Sequence, residues 1–170
     1  MQTQEIYQLA NLFEKSTACL AKWQGKTVVV KYGGNAMLNE ALKQSVMQDI
    51  YQLNALGIRI VLVHGGGPEI SQGVKLLGKE PTFINGLRVT DADTINIVLQ
   101  MLAGKVNKSL VAMLHGKGIG LCGIDGAMLQ CKKLQAEVDY GFVGEITKVN
   151  PQLIQLALDS GFIPVISTVG

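Results

Sequence analysis

Two apolar, β-branched runs in this 170-residue chain end in glycine clusters, and helical periodicity follows each cluster. Thr27-Val28-Val29-Val30 leads through Lys31 and Tyr32 to Gly33-Gly34-Asn35, and residues 58–63 lead to His64-Gly65-Gly66-Gly67-Pro68. Such runs fit strands buried on both faces, because a half-solvated strand alternates polar and apolar positions. Strand, bend, helix, strand is the order of a βαβ unit, whose crossover makes the two strands parallel. Ligands of such sheets bind beyond the carboxyl ends of the strands, so both glycine bends are expected on one edge.

The remaining pattern agrees. Residues 4–23 put Ile6, Leu9, Ala10, Phe13 and Leu20 near helical spacing ahead of Gly25. A long helix is expected after Asn35, with Leu38, Leu42, Val46, Ile50 and Leu53 on one stripe and Gly57 as its stop. Pro68 suits the first turn of another helix. Asn85-Gly86, between apolar residues of segment 79–88, signals a hairpin. Thr90-Asp91-Ala92-Asp93 reads as a helix start, with helical patterns to about residue 102 and over 106–114. Further strands are expected at 119–122, as antiparallel pairs within 128–149, and at 162–167, with a turn at Asp125-Gly126 and a helix opening at Asn150-Pro151. The expected fold is α/β, a three-layer α/β/α sandwich around a mainly parallel sheet, with residues 1–24 as an N-terminal helix and 25–170 as one domain.

Composition removes several classes of function. A net charge of +2 argues against nucleic acid or an anionic membrane as partner. No apolar run approaches the roughly 20 residues needed to cross a bilayer. The opening Met1-Gln2-Thr3-Gln4-Glu5 has neither a basic segment nor an apolar core, so no secretory leader is expected. Cys19, Cys122 and Cys131 are odd in number and lack C-x-x-C spacing, which fits reduced thiols and a cytoplasmic location. Neither these cysteines nor His64 and His115 have metal-ligand spacing, so no protein metal site is expected.

Three features bear on chemistry. A diglycine before a helix offers free backbone N–H groups and the positive end of a dipole, and Lys31 at the strand end can reach the same anion. A plain turn explains Lys31-Tyr32-Gly33-Gly34 equally well, and no Walker pattern occurs. The three glycines at 65–67 cost roughly 0.5–1 kcal/mol each relative to alanine, which points to a ligand approaching bare backbone, against the alternative of a tight turn with close packing. His64 is expected to be satisfied by a neighbouring carbonyl and is assigned no catalysis. Arg88, on a hairpin arm, can grip a carboxylate with both fork nitrogens, or can be a solvated surface arginine. Gly118-x-Gly120-x-x-Gly123 matches a dinucleotide fingerprint, but it runs through an expected strand instead of joining strand to helix, so it is read as chance.

Taken in order, these segments resemble the N-acetylglutamate kinases of the amino acid kinase family. The resemblance is carried by Lys31-Tyr32-Gly33-Gly34-Asn35-Ala36-Met37, Val63-His64-Gly65-Gly66-Gly67-Pro68, Asn85-Gly86-Leu87-Arg88-Val89-Thr90-Asp91-Ala92 and Gly104-Lys105-Val106-Asn107-Lys108. Phe142-Val143-Gly144-Glu145, Asn150-Pro151 and Gly161-Phe162-Ile163-Pro164-Val165-Ile166 continue it, while Ile124 stands where the family often has lysine.

The resemblance implies ATP-dependent phosphorylation of the γ-carboxylate of N-acetyl-L-glutamate in arginine biosynthesis, with ATP as co-substrate and Mg2+. Lys31 would stabilise the transferring phosphoryl group, and Gly33 and Gly34 would donate to phosphates. Gly66 and Gly67, with Gly65 and Asn85 as further candidates, would hold the substrate, and Arg88 would clamp its α-carboxylate. It also implies that the nucleotide-binding half, with an Asn-x-Asp motif and a second lysine, lies past Gly170. The 170 residues would then bind substrate without turnover unless a complementary C-terminal chain joined them. The N-terminal helix resembles the arm that interlaces dimers in hexameric relatives, so a homo-oligomer, dimer or hexamer, is expected. Alternatives are another amino acid kinase of glutamate 5-kinase or carbamate kinase type, a non-catalytic binding or oligomerisation module, or a nicotinamide-dependent oxidoreductase.

Overall fold

A computed structural model describes residues 3–170, with nothing said of the Asn35 side chain; Met1 and Gln2, where the leader reading begins, lie outside the described residues. In chain order the elements are α1 (Thr3–Ala21), β1 (Thr27–Tyr32), α2 (Glu40–Ala55), β2 (Arg59–His64), α3 (Gly67–Leu76), β3 (Phe83–Ile84) and β4 (Leu87–Arg88). They continue with α4 (Ala92–Leu99), α5 (Asn107–Ala112), β5 (Gly118–Cys122), β6 (Leu129–Lys133), β7 (Gly144–Val149), α6 (Gln152–Asp159) and β8 (Ile163–Ser167).

Four parallel strands form the central sheet in the order β1-β2-β8-β5. Ile60, Leu62, Ile163 and Val165 turn one face towards Met47 and Ile50 of α2 and Leu110 of α5. Val61 and Ile166 turn the other face towards Met128 and Leu158, the latter on α6. This alternation along β2 and β8 is the period of two expected of strands covered on both sides, and it makes the three layers. Each fully buried Leu or Ile contributes about 1.5–3 kcal/mol of transfer free energy. A further cluster, Ile70, Val74, Ile97, Leu102, Cys122 and Val169, joins α3 and α4 to the sheet's end.

The hairpin of β3 and β4 pairs Phe83 with Arg88 and Ile84 with Leu87. Its tip is Asn85 (φ 50°) and Gly86 (φ 80°), the two left-handed residues that a two-residue turn between twisted strands requires. Its base is stitched down by the amide of Thr90 donating to the carbonyl of Tyr140 (2.9 Å) and that of Phe142 donating to the carbonyl of Thr90 (2.8 Å). The antiparallel pair expected within 128–149 is β6 with β7.

Several expectations need correction. β1 is not buried on both faces: it is the sheet's edge, and Val29 is 65% exposed because the α6 layer covers only the inner strands. The helix after Asn35 is interrupted. A 3-10 turn over Gly34–Met37 is followed by Asn39, whose side chain accepts from the amide of Leu42 (3.0 Å) and starts α2 at Glu40. Leu38 therefore lies outside the helix and is exposed, as are Leu42 and Leu53, while Met47 and Ile50 are the positions α2 buries. The helical patterns ending near 102 and starting at 106 are one continuous rod, because a π-helical stretch, Gln100–Val106, joins α4 to α5. α1 buries none of its residues, and only Leu20, partly covered, packs on the core.

Candidate active site

β1 and β2 run in register, Tyr32 beside His64, so their glycine bends start at the same level of the sheet. The amide of Gly65 donates to the carbonyl of Tyr32 (3.1 Å) and ties the bends together. Between them lies a cleft of about 510 Å³, lined by both bends, Lys31, Tyr32 and Pro68. A Cβ added at Gly34, Gly65 or Gly67 would meet nothing within 4 Å, so main chain there faces open space. Gly66 differs: its Cβ would fall 2.6 Å from Leu102 Cδ2 and 3.2 Å from Val106 Cγ2, so the π-helical stretch packs straight onto it. Of the three glycines, Gly66 has a packing reason, while Gly65 and Gly67 leave backbone bare towards the cleft.

Local chemistry makes this edge receptive to anions. The ten-residue α3 begins at Gly67 with Pro68 in its first turn, and its leading N–H groups have no partner within the helix. Lys31 stands exposed at the end of β1 on the cleft wall, outside every ion pair found among the described residues. The Tyr32 hydroxyl, buried at the cleft floor, donates to the carbonyl of Ala36 (2.8 Å) and pins the turn that carries Gly34.

Arg88 approaches from β4. Its Nη2 donates to the carbonyl of Gly67 (3.0 Å) and to Ser71 Oγ (2.8 Å), and its guanidinium lies 4.5 Å from the centroid of Phe83. Nη1 is buried without a partner, and burial lowers the guanidinium's pKa from its ordinary value, though it stays charged at any physiological pH. Arg88 lines a small adjoining cleft with Lys79 and Asp91, not the glycine cleft itself, and the two share the Gly67 peptide. Asn85 sits at the hairpin tip, its Nδ2 3.5 Å from the Tyr140 hydroxyl, and lines neither cleft.

His64 is fully buried, and its Nδ1 lies 2.9 Å from the carbonyl of Gly65, the satisfied strand-end histidine expected from sequence. Its second partner, Asn107, went unread, although it stands inside Gly104-Lys105-Val106-Asn107-Lys108. Ser71 and Phe83 were missed too, since nothing local in sequence ties them to Arg88. Gly120 lies within β5, and a Cβ there would fall 2.0 Å from Asn107 Oδ1; close packing, not a dinucleotide, explains that glycine.

Parallel strands, glycine bends on one carboxyl edge and two cationic side chains beside them define an α/β protein whose donors converge on one rim. The chain belongs to the amino acid kinase family, whose model matches residues 26–170. It is 75% identical over 166 residues to an acetylglutamate kinase of Actinobacillus pleuropneumoniae, covering 98% of this chain and 58% of that protein. The chain thus spans a little over half the length of the curated relatives it matches. A solved N-acetylglutamate synthase from Neisseria gonorrhoeae, complexed with coenzyme A and N-acetyl-glutamate, superposes with a TM-score of 0.74 at 26% identity, over 91% of this chain and 36% of that one. Carbamate kinase from Giardia lamblia, bound to AMP-PNP, shares the fold with a TM-score of 0.55 at 16% identity, over 86% of this chain and 57% of that one.

Proposed function

We propose that this chain is the substrate-binding half of an acetylglutamate kinase, which phosphorylates the γ-carboxylate of N-acetyl-L-glutamate with ATP, an early step of arginine biosynthesis in the cytoplasm. The observation that carries this reading is Arg88: a guanidinium held by Gly67, Ser71 and Phe83 that keeps one buried nitrogen unpartnered beside the glycine bends. A buried cationic donor without a partner is costly, and a carboxylate is the group its fork fits. The relatives named acetylglutamate kinase support the choice of amino acid.

Phosphoryl transfer between two anions needs charge neutralised and groups held in line. The attacking γ-carboxylate has an ordinary pKa of about 4.3, so it is ionised at neutral pH and no base must deprotonate it. Its oxygen forms the new O–P bond as the bond from the γ-phosphorus to its bridging oxygen breaks. Amides of Gly66 and Gly67 hold that carboxylate, Arg88 holds the α-carboxylate, Gly33 and Gly34 donate to the phosphates, and the Lys31 ammonium offsets charge on the moving group. Among the described residues no three carboxylate, imidazole or thiol groups gather at a metal-sized point. Mg2+ would therefore reach this cleft on the nucleotide's phosphates, as small hard cations commonly do.

The apolar, unburied face of α1 supports a homo-oligomer, in which Ile6, Leu9 and Phe13 meet a second copy. No described helix is long and apolar enough to cross a membrane.

Thermal unfolding with a substrate panel tests the reading. N-acetyl-L-glutamate at 100 times its Kd should add about 2.7 kcal/mol to stability, while glutamate and carbamate should add far less. Stabilisation by glutamate or carbamate alone would move the chain to another branch of the family, and acyl phosphate made by the 170 residues alone would end the claim that this half only binds.

A further inference from the structure

The glycine bend that faces the cleft has a support running beneath it, through the buried core, to the far side of the sheet. Asn107 is 1% exposed at the start of α5, and its Nδ2 lies 2.8 Å from the carbonyl of Val165, 3.3 Å from that of Leu121 and 3.2 Å from His64 Nε2. Carbonyl oxygens only accept, so the atom facing two of them must be the amide nitrogen, which fixes the orientation of the side chain. That nitrogen has only hydrogens to offer, so His64 Nε2 must carry a lone pair. The ring proton then sits on Nδ1, where it donates to the carbonyl of Gly65 at 2.9 Å. An imidazolium would set N–H against N–H at Nε2, and burial independently lowers the pKa of His64.

The geometry points to His64 and Asn107 as a positioning pair for the substrate turn: strands β5 and β8 orient Asn107, Asn107 selects the tautomer of His64, and His64 holds the Gly65 carbonyl away from the cleft, which leaves the amides of Gly66 and Gly67 facing it. Neither side chain touches the cleft, so both act through the peptide they hold. The inference rests on the reading of those amides as the substrate cradle, and it assigns a role to a histidine that the transfer itself does not need. Two further contacts brace the pair. Lys108 Nζ lies 3.3 Å from Asn107 Oδ1, and the bare Cα of Gly120 leaves the space that Oδ1 occupies. The π-helical stretch completes the support, because the amide of Asn107 reaches back five residues to the carbonyl of Leu102, whose side chain presses on Gly66.

The test uses the uniformly 15N-labelled chain with N-acetyl-L-glutamate as probe. Imidazole 15N spectra at neutral pH should show His64 protonated on Nδ1 and bare on Nε2, a signature that needs no ligand. His64→Leu and Asn107→Ala should shift or broaden the amide signals of Gly66 and Gly67 and weaken N-acetyl-L-glutamate binding about tenfold or more. His64→Asn, which keeps a donor where Nδ1 stood, should restore both to within about threefold of wild type. If Asn107→Ala does not fold, the two His64 variants still decide. An Nε2-protonated His64, or His64→Leu with unmoved glycine amides, overturns the positioning role. A wild-type chain that shows the expected tautomer and amide shifts but ignores N-acetyl-L-glutamate overturns the substrate reading and leaves the pair standing.

Discussion

Arg88 donates through Nη2 to the carbonyl of Gly67, 21 residues earlier, at 3.0 Å, so the hairpin arm and the start of α3 are locked into one frame. The residue proposed to grip one end of the substrate is thus bonded to the peptide proposed to cradle the other. Distance between the two ends is set inside the protein before anything binds, which lowers the ordering cost of association.

Arg88→Ala should weaken N-acetyl-L-glutamate binding by about 2–5 kcal/mol, the range for truncating one partner of a desolvated charge pair. Arg88→Lys should recover little, because a lysine cannot reach Gly67 and Ser71 while also offering a second fork nitrogen. Isothermal titration measures both, and an Arg88→Ala chain that binds as wild type does would remove Arg88 from the site.

Gly141→Ala should destabilise the fold by about 2–4 kcal/mol, since strain and overpacking act together. Gly141 has φ 70°, and its Cβ would fall on the carbonyl oxygen of Thr90. That carbonyl accepts from Phe142 at the hairpin base and is main chain, so it cannot swing away. Urea unfolding measures the loss; an unchanged midpoint would mean that the 139–142 loop is not stitched to Thr90 in solution.

Acid should cost stability in two windows. Burial disfavours the His64 imidazolium and lowers its pKa from 6.5, against smaller opposing effects of the Gly65 hydrogen bond and of Glu69 nearby. The unfolded chain therefore takes up this proton first. The stability due to neutral His64 is complete above 6.5 and drains away as pH falls from there towards the lower folded value. A separate, more acid loss begins near 3.8, because Thr94 and Lys79 hold the Asp91 carboxyl, and Lys133 and Gly141 that of Asp139, below that ordinary value. Unfolding midpoints followed by circular dichroism should slope between about pH 6.5 and 5 in wild type and be flat there in His64→Asn.

Replacing Leu9 and Phe13 together by lysine should break the proposed assembly into smaller species without unfolding the domain, since α1 buries none of its own residues. Sedimentation velocity reads the outcome. A wild-type chain that sediments as a monomer at micromolar concentration removes the oligomer proposal.

Much of the molecule was legible in sequence because its signals are local. Asn85-Gly86 demanded a two-residue turn, Asp91 demanded a helix start, and the glycine clusters marked where strands meet the cleft; each is a backbone requirement written in adjacent residues. What escaped depends on neighbours far along the chain. Val29 reads like Val61, yet one lies on an edge strand and the other beneath α6, and no local pattern distinguishes them. Leu38 fitted a helical stripe, but the Asn39 side chain started the helix after it. Asn107 is 43 residues from His64 and 58 from Val165, so its role emerges only once the sheet has formed.

The stretch Gln100–Val106 has a consequence for how this protein can vary. A π turn holds a residue more than an α turn does, and removing any one of them would let the rod tighten to 3.6 residues per turn. All that follows would then swing by about 100°, carrying Asn107 out from under His64 and turning Lys108 towards the core. Descendants of this chain can exchange side chains at many of these seven places, but shortening the segment by one would unseat the cleft from below.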